Sequence, residues 1–123
     1  MTLTLLDANA VLRYLLEDIE DQAAQVERAV ESGAEVTLEV LAECVYVLQG
    51  VYAVPRSDIA ESIEILLEEV YCARKRVAAT ALGLYRGCTF DFVDCVLAAE
   101  HAVNGQDVLT FDKKLRSLIS LVG

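Results

Sequence analysis

The chain has 123 residues, 20 acidic against 10 basic for a net charge of -10, and 55% of its residues are hydrophobic. That apolar content excludes a disordered chain, and no apolar run approaches the roughly 20 residues of a membrane-spanning helix. Residues 1–70 hold 15 acids and 3 bases and residues 71–123 hold 5 and 7, so a local basic rim on an acidic body remains open despite the overall charge.

The length suits one domain with one core over residues 1–123. The start, Met1 to Asp7, has no basic leader and meets an acid before a signal core could form, so a cytoplasmic protein is expected. Cys44, Cys72, Cys88 and Cys95 lack close CxxC spacing, and His101 has no ligand neighbours at zinc-finger spacing. Reduced, mostly buried thiols are expected.

In chain order, Leu3-Thr4-Leu5-Leu6 reads as a short buried strand, and Asp7 sits on the turn into a helix over Asn9 to Leu16. Ala23, Val26 and Val30 predict a helix over 21–32, stopped by Gly33. A second strand is predicted over 35–38 and a helix over 39–51. Pro55 marks a loop, and Ser57 is expected to cap the next helix, whose Ile59, Ile63, Leu66, Leu67 and Val70 repeat at helical spacing. Further helices are predicted over 76–86, ending at Gly87, and over 91–103, closed by Asn104-Gly105. Asp107-Val108-Leu109-Thr110 reads as a third strand, and helical spacing returns from Lys113. Strands separated by helices predict an α/β fold, a three-layer α/β/α sandwich around a mainly parallel sheet.

Four carboxylates stand out against this pattern. Glu43 has Val40, Tyr46 and Val47 at helical spacing around it, which predicts a carboxylate on an apolar face that needs a cation, hydrogen bonds or a proton. Asp91 and Asp94 lie three residues apart at the start of an apolar helix, where Asp91 can cap by accepting a backbone N–H. Asp7 and Asp112 each follow an apolar strand, and sites in parallel sheets form beyond the strands' carboxyl ends. Converging carboxylates with little else suit a divalent cation, because Mg²⁺ takes hard oxygen ligands, and such an ion assists phosphodiester hydrolysis. His101, seven residues after Asp94, shares roughly its helical face, and Lys113, Lys114 and Arg116 are candidate phosphate contacts.

The segments LLDANAVLRYLL, LAECVYVL, DFVDCVLAAEH and DVLTFDKKL resemble, in order and over nearly the whole chain, the successive motifs of PIN-domain nucleases, and in particular the VapC-like toxins of prokaryotic toxin–antitoxin pairs. The resemblance implies a PIN fold and a Mg²⁺- or Mn²⁺-dependent endoribonuclease. It carries the catalytic and metal-binding roles to Asp7, Glu43, Asp94 and Asp112, and accessory roles in the pocket to Asn9, Asp91 and Thr110. Cys95 departs from the pattern by standing where a small residue such as alanine is usual.

The partners expected are an RNA substrate, a small antitoxin that covers the pocket, and a second copy of the chain. A mean hydropathy of +0.42 on so small a chain is the physical motive for the homodimer. Two other readings stay open at this point: an RNA-processing PIN nuclease without an antitoxin, and a binding module whose acidic pocket holds a cation without turnover.

Overall fold

The computed structural model describes residues 2–123. Among these the chain is mostly helical and divides into two compact units, Met1–Lys75 and Arg76–Gly123.

In the first unit, β1 (Thr4–Leu5) and β2 (Ala34–Glu35) pair in parallel, with Thr4 opposite Ala34 and Leu5 opposite Glu35. A parallel bridge from Glu35 to Tyr71 extends the ladder by one residue. β1 is therefore an edge strand, and its Leu5 side chain is 61% exposed while the next residue, Leu6, is buried. The expected buried strand is corrected accordingly: with a neighbour on one side and two paired residues, it has little to cover it.

α1 (Ala8–Leu16) and α2 (Glu20–Ser32) bring the chain back from β1 to β2. The return turns on Gly33, whose φ of 112° lies in the region open to glycine, and whose missing Cβ would stand 3.2 Å from a Leu3 methyl. α3 (Leu38–Gly50) is capped by Thr37, whose hydroxyl accepts the Val40 N–H at 3.2 Å. Leu38 belongs to this helix, so the second strand is shorter than predicted.

α4 (Arg56–Glu69) begins at Pro55, whose carbonyl accepts the N–H groups of Asp58 and Ile59. The expectation that Ser57 caps is thus overturned: proline fixes φ near -60° at the cap position and the helix starts two residues earlier, at Arg56. Val11, Leu41, Ile59, Ile63 and Leu66 are fully buried, each contributing about 1.5 to 3 kcal/mol.

The second unit holds α5 (Lys75–Arg86), α6 (Phe92–Asn104) and α7 (Lys113–Val122), with α6 packed on α7. Tyr85 and Phe92 meet edge to face, with centroids 5.8 Å apart, across the loop from α5 to α6. Cys95, Ala98 and Ala99 are fully buried on α6, so the thiol at position 95 fills a core position as a small apolar residue would.

The third strand is absent: residues 107–110 form no strand, and Leu109 is 87% exposed. Its β-branched and apolar residues gain from a pleated surface when a partner strand lies alongside, and none does. Among the described residues the sheet has two strands and one bridge, and a third layer on it is not seen.

Candidate active site

In the second unit, α6 presents Asp94 in its first turn and Asp91 at its N-cap position. Asp91 makes no side-chain cap bond, so the expectation that it caps by accepting a backbone N–H is corrected. Its carboxylate instead lines an open cavity of about 520 Å³, together with Asp94, Asp112, Lys114, Ser117 and Thr89.

Asp112 is the N-cap of α7. Its Oδ1 accepts the N–H groups of Lys114 at 2.9 Å and Leu115 at 3.2 Å. The Thr110 hydroxyl accepts the Asp112 N–H at 3.1 Å, which fixes the backbone that carries the carboxylate. Among the described residues Oδ2 takes no hydrogen bond, and Asp112 lines the same cavity. Asp94 and Asp112 thus stand at the N-terminal ends of two helices that pack together, where the helix dipoles favour negative charge. That help is incomplete: burial, and then the negative charges of Asp91 and Asp112, hold the Asp94 carboxyl above the usual carboxylate range.

In the first unit, Asp7 caps α1, its Oδ1 accepting the Ala10 N–H at 2.8 Å. Glu43 lies on α3 beside Cys44, whose thiol donates to the Ala8 carbonyl at 3.7 Å. Burial pushes that thiol up to about 12, and the charges of Glu43 and Asp7 add to the shift, so both acids act on the same buried sulfur. At that value Cys44 is a neutral packing residue and no nucleophile. Asp7, Asn9 and Arg13 line a second cavity of about 480 Å³.

Glu43 itself is exposed, which corrects the expectation of a carboxylate buried on an apolar face. The buried face of α3 runs through Leu41, Cys44, Val45 and Leu48, and Tyr46, which suggested a core position, is 80% exposed. The apolar neighbours of Glu43 are therefore partly surface residues, and it has no burial cost to offset.

Among the described residues, none of Asp7, Glu43, Asp91, Asp94 and Asp112 enters an ion pair. Nor, as the side chains stand, does any group of three or more His, Cys, Asp and Glu close around a point where a metal ion could sit. The donor chemistry nevertheless fits Mg²⁺ or Mn²⁺: hard carboxylate oxygens, unneutralised by bases, with negative charge in excess around Asp94.

His101 serves elsewhere. Its Nδ1 donates to the Gln106 carbonyl at 2.9 Å and holds the turn after α6, where Gly105 closes the helix. Lys114 lines the cavity, whereas Lys113 and Arg116 do not. Arg74, just before α5, is engaged with Glu39 at 3.2 Å. Thr89, Ser117, Leu118 and Leu121 were missed as lining residues; Ser117 was within reach of a spacing argument, because it lies three residues after Lys114 on α7.

Residues 4–119 match the PIN domain. The chain belongs to the PIN-domain family. No curated protein and no solved structure gives a significant match to it. PIN domains are typically metal-dependent nucleases that act on RNA, so the acids of this PIN domain stand in a nuclease fold.

Proposed function

We propose that this PIN domain is a Mg²⁺- or Mn²⁺-dependent endoribonuclease in which Asp7, Glu43, Asp94 and Asp112 supply the catalytic and metal-binding carboxylates. The observation that carries the reading is Asp94, a half-buried carboxyl held above its usual range beside Asp91 and Asp112 on the wall of an open cavity, with no base paired to it. Such a group gains most from a cation. When bound, a divalent ion lowers the pKa of a coordinated water and polarises a phosphoryl oxygen.

The chain's own residues prepare that chemistry. Thr110 and the α7 amides orient Asp112 and leave one of its oxygens unused. Lys114 brings a positive charge to the cavity wall, where a phosphodiester needs one. Asp91 adds a carboxylate not spent on a cap, and Asn9 lies two residues after Asp7 on the wall of the second cavity.

The toxin role, with an antitoxin that covers the acids, is part of the same reading and rests on the resemblance of the four motifs. The homodimer is supported by large apolar side chains left in water, Tyr46, Val51 and Leu121 among them. The described residues include no helix long and apolar enough to cross a membrane.

The test is RNA cleavage by the intact chain with and without Mn²⁺, set beside Asp94→Asn. Metal-dependent cleavage that collapses in the variant is expected. Cleavage that ignores the metal, or a variant as fast as its parent, overturns the assignment. Light scattering alone and with the neighbouring gene's product tests the dimer and the antitoxin.

A further inference from the structure

Phe111 is 88% exposed, more than any other large apolar side chain among the described residues. Its backbone is held on both sides. The Arg116 guanidinium Nη2 donates to the Phe111 carbonyl at 3.4 Å, the Asp112 N–H is bound to the Thr110 hydroxyl, and Asp112 is tied by two bonds into the first turn of α7. A ring so placed is presented by a fixed stretch of chain and is not a disordered tip.

The charges around it select the partner. Lys113, Lys114 and Arg116 follow within five residues and are exposed, in a unit whose other bases lie on α5. An aromatic face flanked by cations is the combination that single-stranded nucleic acids use: bases stack on the ring while phosphates meet the bases of the protein. Asp112 is the next residue, with its Cα about 3.8 Å from that of Phe111. A nucleotide stacked on the ring therefore has its own phosphate, or a neighbouring one, close to a cavity carboxylate.

We infer that Phe111 is a stacking platform for an unpaired base of the RNA substrate, which positions the adjoining phosphodiester beside Asp112. The inference rests on the nuclease reading above. It gives a specific residue the task of holding an unpaired base beside the cut. Stacking tolerates any base, so Phe111 sets position and affinity without reading sequence.

The experiment measures binding apart from cleavage. Fluorescein-labelled single-stranded RNA is titrated by anisotropy with Ca²⁺ in place of Mg²⁺, using the intact chain and its Phe111→Ala, Phe111→Leu and Phe111→Trp variants. Kd is expected to rise about tenfold for Ala and for Leu, and to stay near the parent value for Trp, as loss and recovery of one stacked base require. An RNA carrying 2-aminopurine should be quenched by the parent and Trp proteins and not by the Leu variant. Leu keeps the apolar bulk and loses the aromatic face. A Leu variant that binds and quenches like the parent overturns the proposal, as does a change in oligomeric mass on Phe111→Ala with RNA affinity unaltered, which would make the ring a protein contact. A parent that cleaves RNA with unaffected variants removes the platform alone, whereas a parent that neither binds nor cleaves RNA removes the nuclease reading as well.

Discussion

Asp7 in the first unit and Asp91 in the second occupy the same local position, each just before the first residue of a helix with its backbone extended. Asp7 closes its cap at 2.8 Å, and Asp91 makes no cap bond and faces a cavity that holds two more acids. The surroundings sharpen the contrast. Residues 1–70 carry a net -12, yet Asp7 and Glu43 are exposed, where water screens them; residues 71–123 carry +2, yet Asp94 is half-buried against like charges. Burial at a cavity wall first, and the like charges of Asp91 and Asp112 second, hold the Asp94 carboxyl up, and the count of acids in a region does not decide it.

The largest effect expected is on catalysis. Asp94→Asn and Asp7→Asn should each lower the RNA cleavage rate at least about 100-fold, since a ligand to a catalytic ion supports several kcal/mol of charge stabilisation. Asparagine caps helices as well as aspartate, so Asp7→Asn keeps its bond to Ala10 and far-UV circular dichroism should not change. If Asp94→Asn is inactive while Asp7→Asn cleaves at the parent rate, Asp7 is a cap alone and the two regions differ in kind.

Alanine separates the two N-caps by stability. Urea unfolding should show a loss of about 1 kcal/mol for Asp7→Ala and a change within about 0.5 kcal/mol for Asp91→Ala, because only the first removes a cap bond. Equal losses would erase the distinction.

The first unit also shows an acid satisfied by a neighbour. Tyr14 donates to Glu69 Oε1 at 3.1 Å, and burial, that bond and nearby acids push its phenol from 10.0 to about 12. The folded state keeps its proton where the unfolded state has lost it, so this stability is whole below pH 10.0 and drains as pH rises to about 12. Tyr14→Phe should cost about 0.5 to 1 kcal/mol at neutral pH and should flatten the alkaline limb in thermal melts taken across that range.

The smallest effect concerns Asp94 without metal. With its carboxyl above the usual value of 3.8, the folded state binds more protons than the unfolded one just above that pH, and stability falls as pH rises through the folded value. Asp94→Asn removes the falling limb and should raise the melting temperature of the metal-free protein by a few degrees at neutral pH. A variant that melts lower would mean the ionised carboxylate has a stabilising partner.

What the sequence determined by itself was whatever depends on near neighbours in the chain. Periodicity placed α1 through α7 to within a residue or two, because a helix closes its bonds over four residues and buries one stripe. Gly33 and Gly105 ended helices as expected, and the order of the four motifs pointed to the family that residues 4–119 match. The tertiary structure alone decided what depends on distant partners. Residues 107–110 had strand-forming side chains and no strand beside them; Glu43 stood among apolar residues and is itself exposed, with Tyr46 beside it in water; Asp91 stood at a cap and did not close it. Pairing, burial and the choice among a carboxylate's possible partners are set by groups far away in sequence, and spacing along the chain carries no information about them.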